Sequence, residues 1–468
     1  MKFWRSALIL LLAGPLAGCP QTPEGLPTAS FTFTPDHGVK NLAVQFTDTS
    51  DPGDAAITAW SWNFGDDSTS TEQHPLHTYT KNGVYDVKLT VTNSIGSHVT
   101  QKTEAVVVGN VWAAADGYEG NDSVAAVSAT AGTDVLILST ITPSGRTDTD
   151  FQLQRRNASG EIIWTKFYGG MANDVATSMV FDDGEITLCG TTVTTGRGVD
   201  IYVIHTDATG EILWEDTYGT VQNDSANRII VSGGNFVIAG ATGSNIPDAY
   251  LLKLDSEGEV LWSKTYGGTT SKEVLRCVRA IDDGFILCGE QGNADFYAIR
   301  TDAAGAQKWA AVFDSTGTNR AYEVFQAGTD FVLIGSGYSA KASGYDVMVL
   351  KADKDGKELS RAFAGGLGLE QVFGAIGSGG AYTVVGSTTS SPAEGTDLYL
   401  LNIKADGTKN WSRIIGGAGD ETGTAVAFVS GELLIGGTTT TWTLGGTDNY
   451  LLRTTLTGNG PEEPDPAL

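Results

Sequence analysis

Seven evenly spaced positions in this chain could do acid chemistry together. They are Asp122, Asp174, Asp224, Lys272, Asn319, Glu370 and Glu421, and five of the seven are carboxylates. Each stands ten residues beyond one recurring position, filled by Trp112, Trp164, Trp214, Trp262, Trp309, Ser360 and Trp411. Carboxylates gathered on one mouth can do three things. Two at a defined separation can serve as the acid and base, or the acid and nucleophile, of glycoside hydrolysis. Several converging ones are hard oxygen ligands suited to calcium. Taken singly, each can cap a turn by accepting backbone N–H bonds. A second row stands fourteen residues before the recurring position: Asp150, Asp200, Asp248, Asp295, Asp346, Asp397 and Asp448. A row repeated without exception is what the stacking of copies demands. The row broken at Lys272 and Asn319 is therefore the candidate ligand site, and it would be lopsided.

The rest of the chemical inventory is thin. His205 has Arg155, Lys253, Arg300, Lys351, Asn402 and Arg453 at the equivalent positions. That row reads as a solvated polar face, not as a catalytic one. No nucleophile elbow, HExxH or CxxC spacing occurs. Cys189, Cys277 and Cys288 fall in apolar strands and read as buried thiols. Cys277 and Cys288 flank a turn, so a cross-strand disulfide stays open as an alternative. No cofactor is expected, with calcium the one ion the acidic row could take.

The elements that must position these residues are strands. Of 468 residues, 41% are apolar and 60 are glycine against 13 proline, a composition of tight turns. Alternating runs such as "YDVKLTVT" dominate, and the fold class is all-β. The recurring position steps by 47 to 52 residues. Four residues before it lies a glycine each time: Gly160, Gly210, Gly258, Gly305, Gly356, Gly407 and Gly458. Four short strands per period of about 50 define a β-propeller blade, and the count is seven. The glycine supplies positive φ in the hairpin between the third and fourth strands. The tryptophan should pack between neighbouring blades. The last copy stops after its third strand, so an N-terminal strand at 108–114 should complete the seventh blade and remove its open edge.

The repeats resemble the "W-x-K-T-Y-G-G … D-x-Y-L-L-K-T-D-x-x-G" propeller repeats of bacterial and archaeal surface proteins. They are also similar to pyrroloquinoline quinone repeats, but Asp207 to Gly210 is one residue shorter than that motif requires and no quinone constellation is present. Residues 28–108 resemble the polycystic kidney disease (PKD) domain. The resemblance rests on Trp62, Phe64, Gly65 and Asp66, then Pro75, His77 and Tyr79, then Gly83, Tyr85, Val87, Leu89, Val91 and Asn93. It implies an immunoglobulin-like sandwich serving as a spacer or binding accessory. Asp67 stands where that family has glycine. His77 is expected to hydrogen-bond within the core.

The N-terminus reads as an address. Residues 1–18 have a basic start, a short apolar run and small residues, which describes a lipoprotein signal peptide. Leu16-Ala17-Gly18-Cys19 resembles the bacterial lipobox, which implies cleavage before Cys19 and fatty acylation, palmitate included, on that residue. Several acyl chains anchor stably where one is marginal. Pro20 in place of an aspartate points to the outer membrane. Residues 19–27 form a tether, 109–458 the propeller, and 459–468 a disordered acidic tail.

A net charge of −26 disfavours nucleic acid and anionic lipid as partners. The leading expectation is a non-enzymatic envelope lipoprotein. Its membrane contact is the lipid anchor, and its propeller is a platform for protein or polysaccharide partners. The alternatives are a secreted, carbohydrate-active enzyme that uses the acidic face and a calcium-stabilised structural protein.

Overall fold

The computed structural model describes residues 25–456 apart from 39–40, 82, 110–111, 269, 293–294, 314–316, 340–343, 367, 391–394, 417–418, 442 and 444–445. The side chain of residue 104 is likewise left out. Cys19, the leader, most of the tether and the tail therefore lie outside the described residues. Among those described, every regular element is a strand. The chain divides into two compact units, 1–36 with 41–107 and 37–40 with 108–468.

The first unit is a sandwich of two sheets. One sheet joins Phe31–Thr34, Leu42–Asp48 and Leu76–Tyr79, and the other is centred on Gly83–Thr92 and Ser97–Val108. Alternation puts Val87, Leu89 and Val91 on one face, and all three are fully buried. On the adjacent strand Trp62 pairs with Leu89, and its indole N–H donates to the Glu72 carbonyl at 2.8 Å. His77 stacks on Phe64 with ring centroids 4.2 Å apart, and its Nε2 lies 2.9 Å from Asp66 Oδ2. Asp67 adopts φ 69°, the left-handed conformation that a glycine takes without strain.

Among the described residues of the second unit, seven four-stranded sheets follow one another in the manner of propeller blades. The innermost strands are Ser123–Ala129, Val175–Asp182, Asp224–Ser232, Glu273–Ile281, Arg320–Ala327, Glu370–Ser378 and Glu421–Val429. Six blades run consecutively from inner to outer strand. The seventh takes its outer strand from Trp112–Asp116, which pairs antiparallel with Asp448–Thr454 through Arg453↔Trp112 and Asn449↔Asp116. The closing strand starts later than 108–114, because Val108 still belongs to the last strand of the sandwich.

No blade buries both faces alone, so the core lies between blades. Val237 and Leu251 of the third blade pack on Leu275, Val278 and Phe285 of the fourth. Trp112 and Leu451 of the seventh pack on Val124 and Ile137 of the first, which shuts the ring. Each such buried aliphatic side chain is worth about 1.5–3 kcal/mol.

The repeated tryptophan and glycine explain one another. Gly160 has φ 88°, and a Cβ there would stand 2.7 Å from the Trp112 ring of the preceding blade. Gly258 meets Trp214, Gly305 meets Trp262 and Gly356 meets Trp309 in the same way. Where Ser360 replaces tryptophan, Gly407 closes on Ala362 instead.

Candidate functional site

The acidic positions do not form an exposed ring. Asp122, Asp174, Asp224, Glu370 and Glu421 are all buried, at the start of the innermost strands. Their oxygens bond to the protein itself. Asp122 accepts the Thr142 N–H at 2.8 Å, Asp174 the Gly170 N–H at 3.1 Å and Asp224 the Thr220 N–H at 2.6 Å. Glu370 accepts the hydroxyls of Thr388 and Ser390, and Glu421 those of Thr439 and Thr441. The mouth expected from spacing is corrected on this point, because these side chains face the neighbouring blade. In the fourth blade the residue at this place is Glu273, not Lys272. Glu273 is fully buried, whereas Lys272 is half exposed and pairs with Glu290 at 3.0 Å. Asn319 does hold the fifth place, buried, and accepts the Tyr338 N–H at 2.9 Å.

The structure joins the two acidic rows. The aspartate opening the third strand of one blade meets the acid opening the first strand of the next, across a glycine that ends the outer strand. A Cβ on Gly169 would stand 2.4 Å from Asp174 Oδ2 and 2.7 Å from Asp150 Oδ1. Gly117 sits likewise between Asp448 and Asp122, and Gly219 between Asp200 and Asp224. Gly267 lies between Asp248 and Glu273, Gly365 between Asp346 and Glu370, and Gly416 between Asp397 and Glu421. At the remaining junction the equivalent residues are Asp295 and Asn319.

Two carboxyls so close cannot both ionise freely. Burial raises the Asp122 pKa, and Asp448 adds to the rise. Burial also raises Asp248, helped by Glu273, and it raises Glu370, where Asp346 adds to it. Asp150 is raised by burial and by Asp174 against the opposing pull of Arg146. Asp248 Oδ1, Glu273 Oε2, Asp346 Oδ1 and Glu370 Oε2 are buried without a hydrogen-bond partner. Among the described residues no three His, Cys, Asp or Glu side chains gather as a metal set.

His205 also differs from expectation. It is buried, with Nδ1 2.9 Å from Thr187 Oγ1, Nε2 3.2 Å from Glu185 and Trp214 5.3 Å away. Arg453 in the same row is wholly buried against Glu432. The three cysteines are buried free thiols, and Cys277 and Cys288 face one another across two strands.

One cavity that could receive a ligand is the axial channel, about 480 Å³, lined by all seven innermost strands. Each of these strands carries a β-bulge at the same place. A bulge inserts one residue that opposes none on the partner strand and re-aims its side chain. The bulged residues are Ala125, Thr177, Asn227, Arg276, Tyr322, Phe373 and Thr424, and every one lines the channel. Rows that hold the ring together repeat: the aspartate row is identical in all seven blades. The bulged row uses six residue types in seven places. Seven copies within one chain thus separate what the ring needs from what a ligand would read.

The channel is chemically lopsided. Its charged lining residues are Arg228, Arg276, Arg279 and Glu323, all from the third to fifth blades. Glu323 is buried and is gripped from both sides, by Arg228 on one oxygen and by Arg279 at 2.7 Å on the other. The Arg276 guanidinium lies 4.9 Å from the Tyr322 ring centroid and 3.4 Å from Glu290. The opposite wall offers Ala125, Ala126, Val127, Ala176, Gly374 and Ala425.

Comparison with known proteins gives the class of the first unit. Residues 26–108 match the PKD domain family, so a PKD domain precedes the propeller blades that the sheet topology describes. Collagenase ColA of Bacillus cereus is 38% identical over 74 residues, which are 16% of this chain and 8% of that protein. The metalloprotease PrtV of Vibrio cholerae is 42% identical over 64 residues, 14% of this chain and 7% of the relative. The chain thus spans less than a tenth of these relatives. The propeller domain of the trilobed protease from Pyrococcus furiosus is 13% identical, covering 75% of this chain and 97% of that domain with a TM-score of 0.41.

Proposed function

We propose that this chain is a non-enzymatic cell-envelope lipoprotein, anchored through Cys19 in the outer membrane. Its propeller takes a partner in the axial channel and its PKD domain acts as a spacer. The bulged row carries the reading: seven side chains re-aimed into one channel, diverging between blades whose aspartate row does not diverge. A concave channel of this size supports the binding of a small molecule. The hydrolytic alternative relied on the acidic positions. Their burial, and their bonds to backbone N–H groups and hydroxyls, favour binding over catalysis.

Full-length protein should retain glycans or envelope components on an array and release no product from them. Turnover by the wild type, lost on changing an acidic junction residue, would refute the non-enzymatic reading. For the anchor, Cys19→Ala should abolish fatty-acid labelling and leave an uncleaved or mislocalised precursor. Persistent labelling of that variant would defeat it.

A further inference from the structure

The whole chain carries 29 Lys and Arg against 55 Asp and Glu. Its axial channel reverses that balance, with three arginines to one carboxylate. Each guanidinium has five N–H donors in a rigid fork. Glu323 occupies one terminal nitrogen of Arg228 and one of Arg279, and Arg276 only approaches Glu290. The Nε atoms of Arg228, Arg276 and Arg279 are shielded from solvent and have no hydrogen-bond partner. Arg228 and Arg279 repel one another across the carboxylate they share. The neighbouring Glu290 adds no negative excess, since Lys272, Arg276 and Arg320 surround it at 3.0, 3.4 and 2.8 Å. Beside the arginines stand two aromatic rings, Tyr322 and Phe373, edge to face at 5.8 Å.

We infer that the channel binds a small molecule bearing an oxyanion, a carboxylate or a phosphate. The oxyanion meets Arg228, Arg276 and Arg279, and the body of the molecule lies on Tyr322, Phe373 and the small residues opposite. The inference rests on the binding reading above and adds the chemistry of the ligand. Arginine forks match planar and tetrahedral oxyanions in two-pronged geometry, and Glu323 fills only one terminal nitrogen of Arg228 and one of Arg279. About 480 Å³ admits a single sugar ring or its like and excludes a folded partner.

The test is calorimetry on the full-length protein in detergent at low salt. The probes are D-glucuronate, D-glucose as its neutral counterpart, and inorganic phosphate. Glucuronate or phosphate should bind and glucose should not, and the anion that binds identifies the oxyanion. Arg276→Gln should weaken binding about ten- to hundredfold, the worth of one charge-assisted contact. Lys308→Gln makes the same charge change on an outer strand and should leave affinity unaltered. Should Arg276→Gln fail to fold, Arg276→Lys keeps the charge and loses the fork, and it carries the same comparison. No binding of either anion, or equal affinity in wild type and the Arg276 variant, would overturn the inference. Retention of neutral glycans, unaffected by the Arg276 change, would also overturn it while leaving the binding reading in place.

Discussion

Replacing Asp346 by asparagine should stabilise the ring at alkaline pH and not at acid pH. Asp346 and Glu370 are buried on either side of Gly365. A Cβ on that glycine would lie 2.1 Å from Asp346 Oδ1 and 2.5 Å from Glu370 Oε2, so the two oxygens are under about 5 Å apart. Two full charges at that distance repel by about 3–4 kcal/mol at an effective dielectric constant near 20. Burial and Asp346 raise the Glu370 pKa above its ordinary 4.5. The native junction therefore binds more protons than the unfolded chain. Its contribution to stability is complete below the unfolded value and is lost as pH rises through the raised native value. In Asp346→Asn the amide can donate to Glu370 at every pH. The variant should gain about 1–3 kcal/mol over wild type at pH 8 and nothing at pH 4. Denaturant midpoints at the two pH values measure this, and the difference from wild type cancels the other titrating groups. A variant destabilised equally at both pH values, with wild type stabilised by millimolar calcium, would refute the raised Glu370 pKa as the cause and put a cation between the carboxyls.

Gly169→Ala should cost about 2 kcal/mol or more, since φ 132° disfavours a side chain and the new methyl would strike Asp174 and Asp150; a melting temperature within a degree of wild type would contradict the packing. Deleting residues 1–116 should lower the melting temperature of the propeller more than deleting 1–108, because only the longer deletion removes Trp112–Asp116 from the seventh blade. Equal melting of the two would mean that this strand does not close the ring. Glu290 is held below the usual carboxylate range against its burial by Arg276, Lys272 and Arg320. Its contribution is present above the unfolded value and lost on acidification, so Glu290→Gln should shrink the loss of stability between pH 6 and pH 3, followed by circular dichroism.

Much of this protein was set by local sequence. A glycine needed for a hairpin, a tryptophan four residues on and an apolar alternation are short-range signals, and their period of about 50 states the blade without any tertiary knowledge. The unfinished last copy and the extra tryptophan at Trp112 announced the closing strand, because an unpaired edge has to find a partner. The PKD domain was equally legible, since its core aromatics and its turns lie within one short segment.

The site was not legible, and the reason is geometric. A carboxylate at a repeated spacing has the same sequence signature whether it faces solvent or the next blade. Only the packing of blades shows that two rows fourteen and ten residues from tryptophan meet across a glycine. One residue of slippage hid Glu273 behind Lys272. A β-bulge leaves no mark on the apolar pattern, because it is a relation between a strand and its partner. Arg276, Tyr322 and Phe373 therefore read as ordinary strand residues, and Arg228, Arg279 and Glu323 as scattered charges. The glycine after six of the seven outer strands was the signal available and unread, for it recurs where two carboxyls need room and is missing where Asn319 replaces one of them. Local propensity and period decided that there would be blades. The meeting of seven innermost strands, each kinked at the same place, decided that arginines would line the axis of an acidic protein.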